Sequence, residues 1–480
     1  MAAPRRRIGF LVVLLLVVAA PAWGQDGEWL ELSRAGLRAT AEGRFLEAER
    51  LFRDALRVGE QFPADDPRRA TSVNNLAYVL HAQGRYLAAE PRYREALAMR
   101  EAGLGADHAD VAQSCNNLAE LYRMLGRYEE AERLHQRALG IRERQFGPDH
   151  PYVAQTLNNL AVLYATHGRY EEAEPLYQRA LAMRIASYGD DHLTAAETRN
   201  NLATLYYAQG LYDEARPLYE RALEVEQKEL GAGHPSLATT LSNLAELNRA
   251  EGLLDEAIEL HRRALELREK TLGPNHPETA QSLNNLAVAQ FGNADYVQAE
   301  RLYKRSVAIK EATLGTDHPE LALTLNNLAE LYRTQRRFDE AEPLYNRALK
   351  IDQRTLGAHH PNLALALNNL ALLHYDRGAY AKAEELLSRA LAIEEQAYGA
   401  AHPELITTLE NYAAVLRELR RYAEADELND RAKSLASSLE AAASDADQTS
   451  LNRSVPGWRP AQETTTTKSG PPPPPSRPRP

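Results

Sequence analysis

The chain has 480 residues, 44% of them hydrophobic and 26% charged, with a net charge of −11. That balance excludes a polytopic membrane protein and wholesale disorder, and its acidic sign argues against nucleic acid, which calls for a basic footprint. A single cysteine, Cys115, excludes an internal disulfide framework and any multi-cysteine zinc site.

The first segment in chain order reads as a signal peptide, residues 1–24. Arg5, Arg6 and Arg7 form a basic start, Ile8 to Ala20 an apolar core, and Ala22-Trp23-Gly24 a small-x-small cleavage site, so the mature chain is expected to begin at Gln25. The apolar run ends at Pro21, short of the ~20 residues a spanning helix needs. The expectation is export, to a bacterial periplasm or the exterior, with no membrane span after cleavage.

Residues 25–440 carry a repeat. The second asparagine of an Asn-Asn-Leu-Ala motif stands at Asn75, Asn117, Asn159, Asn201, Asn243, Asn285, Asn327, Asn369 and Asn411, every interval 42 residues. A divergent tenth unit precedes them, from Trp29 to about Pro63, marked by Gly43, Phe45, Ala48, Phe52 and Ala55. A length of 480 residues by itself points to about three domains. The fixed period replaces that with one stacked array.

The unit from Ala154 to Gly189 shows the build. Ala154, Leu157, Leu160, Ala161 and Tyr164 recur at threes and fours, which predicts one amphipathic helix ended by Gly168. Tyr170, Ala173, Leu176, Tyr177, Ala180 and Leu181 predict a second, whose first turn carries Glu171 and Glu172. Each unit is thus an antiparallel helical hairpin, with alanines where backbones approach. The chain has 23 Tyr against 7 Phe and 3 Trp, an excess explained by four places per unit, those of Tyr164, Tyr170, Tyr177 and Tyr188, each filled by Tyr in several units. One hairpin cannot bury both stripes, so stacking supplies the core.

The order Leu160-Ala161, Tyr164, Gly168, Tyr170, Ala173, Tyr177, Ala180-Leu181 resembles a tetratricopeptide repeat, and the 42-residue period with His150-Pro151 and Leu157-Asn158-Asn159-Leu160-Ala161 resembles the kinesin light chain-like variant and its bacterial relatives. The resemblance covers about residues 29 to 435. It implies an all-α, right-handed superhelical solenoid of ten antiparallel hairpins that binds extended segments of other proteins in a concave groove. Ala294, Arg336 and Arg420 depart from it by replacing the turn glycine, and Ser242 and Glu410 by replacing the first Asn.

Two ladders invite chemistry. His108, His150, His192, His234, His276, His318, His360 and His402 share one loop position. Successive copies lie on the order of 10 Å apart, too far to share an ion whose ligands sit about 2 Å from it, so a loop residue ahead of the first helical position is expected and no metal. The second Asn of each pair persists although asparagine is a mediocre helix former. Either it bonds within the hairpin or to the next repeat, or, as the resemblance implies, its amide faces the groove and holds a partner's backbone. Positions three and six residues beyond each Asn share its face. They include Glu120, Glu246 and Glu330 with Arg123, Arg249 and Arg333, which can also pair with one another, and the apolar Val162, Tyr207, Val288, Phe291, Leu372 and Tyr375. The expected peptide-binding set is the nine asparagines with Arg123, Tyr207, Arg249, Phe291, Arg333 and Tyr375.

No nucleophile elbow, phosphate loop or His-Glu-x-x-His motif occurs, so neither catalysis nor a cofactor is expected. Residues 441–480 lose helical periodicity and end in Pro471 to Pro475 and Arg-Pro-Arg-Pro, a disordered tail by composition. From Glu440 onward the chain carries five basic and four acidic residues, and the signal carries three arginines, which leaves −15 on the residues between and a preference for neutral or basic partners. The alternative to groove binding is a structural scaffold of an exported assembly, acting through the outer surface or tail.

Overall fold

The computed structural model describes residues 25–452, with side chains to residue 438. The described residues form twenty helices and no strand, paired as ten hairpins. Hairpin 1 is α1 (Gln25–Ala41) with α2 (Phe45–Gly59), hairpin 2 is α3 (Pro67–Ala82) with α4 (Tyr86–Leu104), and hairpin 3 is α5 (Ala109–Met124) with α6 (Tyr128–Phe146). Hairpin 4 is α7 (Pro151–Thr166) with α8 (Tyr170–Tyr188), hairpin 5 is α9 (Leu193–Ala208) with α10 (Tyr212–Leu230), and hairpin 6 is α11 (Leu237–Ala250) with α12 (Leu254–Leu272). Hairpin 7 is α13 (Pro277–Gly292) with α14 (Tyr296–Leu314), and hairpin 8 is α15 (Pro319–Thr334) with α16 (Phe338–Thr355). Hairpin 9 is α17 (Pro361–Asp376) with α18 (Tyr380–Tyr398), and hairpin 10 is α19 (Leu405–Glu418) with α20 (Tyr422–Asn452).

The described residues through Leu435 belong to one packed unit, and a second begins at Ala436. The described part of the second is the end of α20. That helix continues to Asn452, past the boundary expected at residue 440, because Ala441 to Ala446 hold good helix formers and the next proline is Pro456. The signal peptide and the proline-rich end lie outside the described residues.

Each turn follows from its residues. Gly168 takes φ +74°, and Arg169 N–H then closes on the Tyr164 carbonyl at 2.9 Å, which satisfies the end of α7. Ala294, Arg336 and Arg420 adopt the same turn at φ 59°, 60° and 62°, so their side chains leave the hairpin geometry intact.

Ala161, Ala173 and Ala180 have no exposed surface, which lets α7 and α8 approach. The four tyrosine places separate by depth. Tyr93, Tyr177, Tyr219, Tyr303 and Tyr345, which share one place of the 42-residue repeat, are the largest buried side chains, whereas Tyr188, at the end of α8, is 49% exposed. Cys115 is buried, and burial pushes its thiol up to about 11, as befits a small core residue.

Candidate interaction surface

Neighbouring hairpins meet where each second helix packs on the next first helix, and successive first helices also touch, as α5 does with α7 and α15 with α17. The first helices therefore lie on the inside of the curve. All fifteen expected peptide-binding residues fall on these inner helices.

The asparagine amides are used between hairpins. Asn117 Nδ2 donates to Asn74 Oδ1 at 3.0 Å, Asn201 to Asn158 at 3.1 Å, Asn243 to Asn200 at 2.9 Å, Asn327 to Asn284 at 3.1 Å and Asn411 to Asn368 at 3.0 Å. The second Asn of one hairpin thus holds the first Asn of the hairpin before it, a rung contributing about 1 kcal/mol. Three rungs are missing. His135 Nδ1 lies 2.8 Å from Asn116 Oδ1 and displaces Asn159, Ser242 stands where Asn285 would bond, and Asn326 Oδ1 is buried without its donor from Asn369. Asn285 Oδ1 accepts from Gln281 at 2.9 Å. Asn159 and Asn369, half-buried, take part in no such rung among the described residues.

Beyond the asparagines the charged positions pair among themselves. Arg123 lies 2.6 Å from Glu120, Arg249 3.0 Å from Glu246 and Arg333 2.7 Å from Glu330. Glu330 also accepts from the Tyr345 hydroxyl at 2.8 Å, and its hydrogen bond to Arg333, against the cost of burial, raises that guanidinium's pKa. Each pair is a partly buried clamp rather than two separate stations. Tyr207, Phe291 and Tyr375 lie half-exposed, each against the first aromatic of its own second helix, at 5.7 Å to Tyr212, 5.7 Å to Tyr296 and 5.5 Å to Tyr380. Val162 corrects the expectation of an apolar station there. It has no exposed surface, because it packs into the core that runs through the first hairpins.

The tetratricopeptide repeat family matches residues 30–102, 110–186, 168–228, 194–252, 236–312, 291–354, 320–395 and 362–438, almost the whole array. The chain belongs to the tetratricopeptide repeat family. No curated protein matches. Among solved structures, BtubC (BKLC) from P. vanneervenii is similar at 24% identity over 49% of this chain and 93% of its own, with a TM-score of 0.39. A putative kinesin light chain of P. anserina with nearly identical TPR-like repeats is similar at 28% identity over 43% of this chain and 98% of its own, with a TM-score of 0.36. A Rap protein complexed with Competence and Sporulation Factor covers 77% of this chain and 98% of its own at 16% identity, with a TM-score of 0.50. The repeat family is generally one of non-catalytic protein-interaction modules.

In this tetratricopeptide repeat array the histidine ladder has a capping role. Each of the eight rings accepts, through Nδ1, the N–H two residues on, at 3.0 to 3.2 Å. The ring nitrogen stands in for the side-chain oxygen of Ser or Asp at the start of each first helix, a contribution of about 1 kcal/mol. No group of three potential metal ligands occurs among the described residues. No described helix is long and apolar enough to cross a membrane.

Sequence reasoning missed a second buried ladder. Arg100, Arg142, Arg184, Arg268 and Lys310 share one register of the second helices and reach into the next first helix, as Arg184 does to the Thr194 carbonyl at 2.7 Å and Thr198 Oγ1 at 2.6 Å. A charged residue every 42 positions, basic at five of the first six and Glu226 at the other, was visible. Its burial was not, since a long cation on an amphipathic helix ordinarily snorkels to solvent.

Proposed function

We propose that this protein is an exported, non-catalytic binding module that holds an extended segment of a partner protein along its inner face. The observation that carries this is the pair Asn159 and Asn369, solvent-reachable amides on the inner face that serve no rung of their own. Each offers a donor and an acceptor, the pairing an extended backbone presents. Around Asn369, hairpins 7 to 9 place Val288, Phe291, Leu323, Leu365, Leu372 and Tyr375 half-exposed, while hairpins 3 to 5 place Gln113, Gln155 and Glu197 at the position of Leu323 and Leu365. The partner segment is therefore apolar where it meets hairpins 7 to 9 and polar or basic where it meets the earlier hairpins.

Selection of a displayed random-peptide library on the full chain tests this. Enriched peptides should combine apolar and basic residues, and Asn159→Ala with Asn369→Ala should abolish enrichment while leaving stability unchanged. Equal enrichment by parent and variant would sink the proposal. Sequencing the N-terminus of the protein from its native host tests export, with Gln25 expected and Met1 the contrary result.

A further inference from the structure

The turns of the first four hairpins lie against the loops that enter the last four. His318 Nε2 reaches the Ala82 carbonyl at 3.2 Å, His360 the Met124 carbonyl at 2.9 Å and His402 the His167 carbonyl at 3.1 Å, pairs 235 or 236 residues apart. His276 packs in the same way on Gly43. Because Nδ1 of each ring already accepts an N-cap N–H, the proton sits on Nε2, and the imidazole donates from one helix N-terminus to the carbonyls ending another helix.

The glycines record the contact. A methyl group on Gly43 would lie 2.7 Å from Pro277, on Gly126 3.2 Å from Pro361, and on Gly84 or Gly168 it would overlap Pro319 or His402. Nothing lies within 4 Å of such a methyl group at Gly210, Gly252 or Gly378. The three non-glycine turns, Ala294, Arg336 and Arg420, all fall among these later hairpins. Since they hold the same positive φ, it is space and not backbone conformation alone that calls for glycine in the first four turns. Residues at the ends of second helices join in. Tyr398 stacks 6.3 Å from Tyr128, and Leu356 is 6% exposed within the core of the first hairpins, whereas Tyr188, at the same repeat position on an uncovered helix end, is 49% exposed.

We propose that these four contacts form a latch that holds successive turns of the superhelix together. It closes the side of the array, so that the inner face is reached along the superhelix axis or after the latch parts. The access consequence rests on the groove reading of function, and the latch itself does not.

Solution X-ray scattering on the full chain tests it. Gly126→Val with Gly168→Val, and separately His360→Ala with His402→Ala, should lengthen the maximum dimension at unchanged helix content by circular dichroism. The matched controls, Gly210→Val with Gly252→Val and His150→Ala with His192→Ala, lose the same turn residue or cap on uncovered hairpins and should keep the parent dimension. If the valine pair loses helix content, the histidine pair decides alone, since it leaves the turn backbone untouched. Latch variants no longer than their controls would overturn the latch. A latch that opens as expected in a protein that enriches no peptide would overturn the groove reading and leave the latch standing.

Discussion

The junction of hairpins 3 and 4 and the junction of hairpins 5 and 6 stand on the same 42-residue frame and are held by different atoms. At the first, Arg142 is 3% exposed and donates to the Tyr152 carbonyl and Thr156 Oγ1, both at 2.8 Å, and to Gln113 at 2.9 Å. The Tyr164 hydroxyl donates to Glu132 at 2.8 Å, and Arg169 binds the same carboxylate while lying over the Tyr164 ring. The asparagine rung is absent there. At the second junction the rung is present, but Glu226 stands in the register of Arg142, accepting from Thr240 at 3.1 Å with its other oxygen buried and unpartnered. Asn248 replaces the tyrosine and accepts from Arg216 at 2.8 Å. The rungs are therefore interchangeable parts. A solenoid's stability is a sum over hairpins and their interfaces, so a junction can exchange one rung and survive with local stability altered.

The largest expected effect breaks the first junction. Arg142→Ala removes packing and leaves the Tyr152 carbonyl and Thr156 without their buried donor, a loss of about 3 kcal/mol. Hydrogen exchange should show faster opening of α6 and α7 with α10 and α11 unaffected. Equal acceleration along the whole array would mean that the junctions do not act separately.

The second effect has the opposite sign and depends on pH. Burial, only partly offset by the Thr240 hydrogen bond, raises Glu226 to about 7 from an ordinary 4.5. Between those values the folded state holds a proton that the unfolded chain has released, so Glu226 costs stability increasingly as pH rises from 4.5 to about 7 and fully above it. Glu226→Gln should stabilise the α10–α11 junction by about 2 kcal/mol at pH 8 and by little near pH 4.5, read from the exchange of amides in those helices. A gain independent of pH would show that Glu226 is not neutralised by burial.

How far the sequence carried depends on which residues are local. Turn glycines, the alanine approaches and the buried tyrosine register follow from spacing within one hairpin, and the structure places them as expected. The asparagine rungs link neighbours, and sequence left open whether those amides bind a ligand or the next repeat. Arg142 and Lys310 were hidden by their own chemistry, since long cations normally mark a solvated face. The latch was out of reach altogether. Whether His402 meets His167 depends on a small rotation added at every hairpin, which no single repeat reveals.

The smallest effect separates holding the fold from holding a partner. Asn201 Nδ2 bonds Asn158 at 3.1 Å and Asn201 is 4% exposed, so Asn201→Ala removes a buried rung and should cost about 1 kcal/mol. Asn159 sits at the same place one hairpin earlier, but His135 has taken the Asn116 oxygen it would have used. That ring is itself pushed down to about 3 by burial, with Arg123 and Arg142 adding to the shift, so it stays neutral and keeps the site occupied at any ordinary pH. Asn159→Ala should then leave urea unfolding and α7 exchange at parent values, although the two substitutions are chemically identical. If both cost the same, the rungs contribute nothing measurable and the persistence of the second Asn needs another cause. If only Asn201→Ala destabilises, Asn159 is kept by something other than the fold, which is where a partner's backbone would bind.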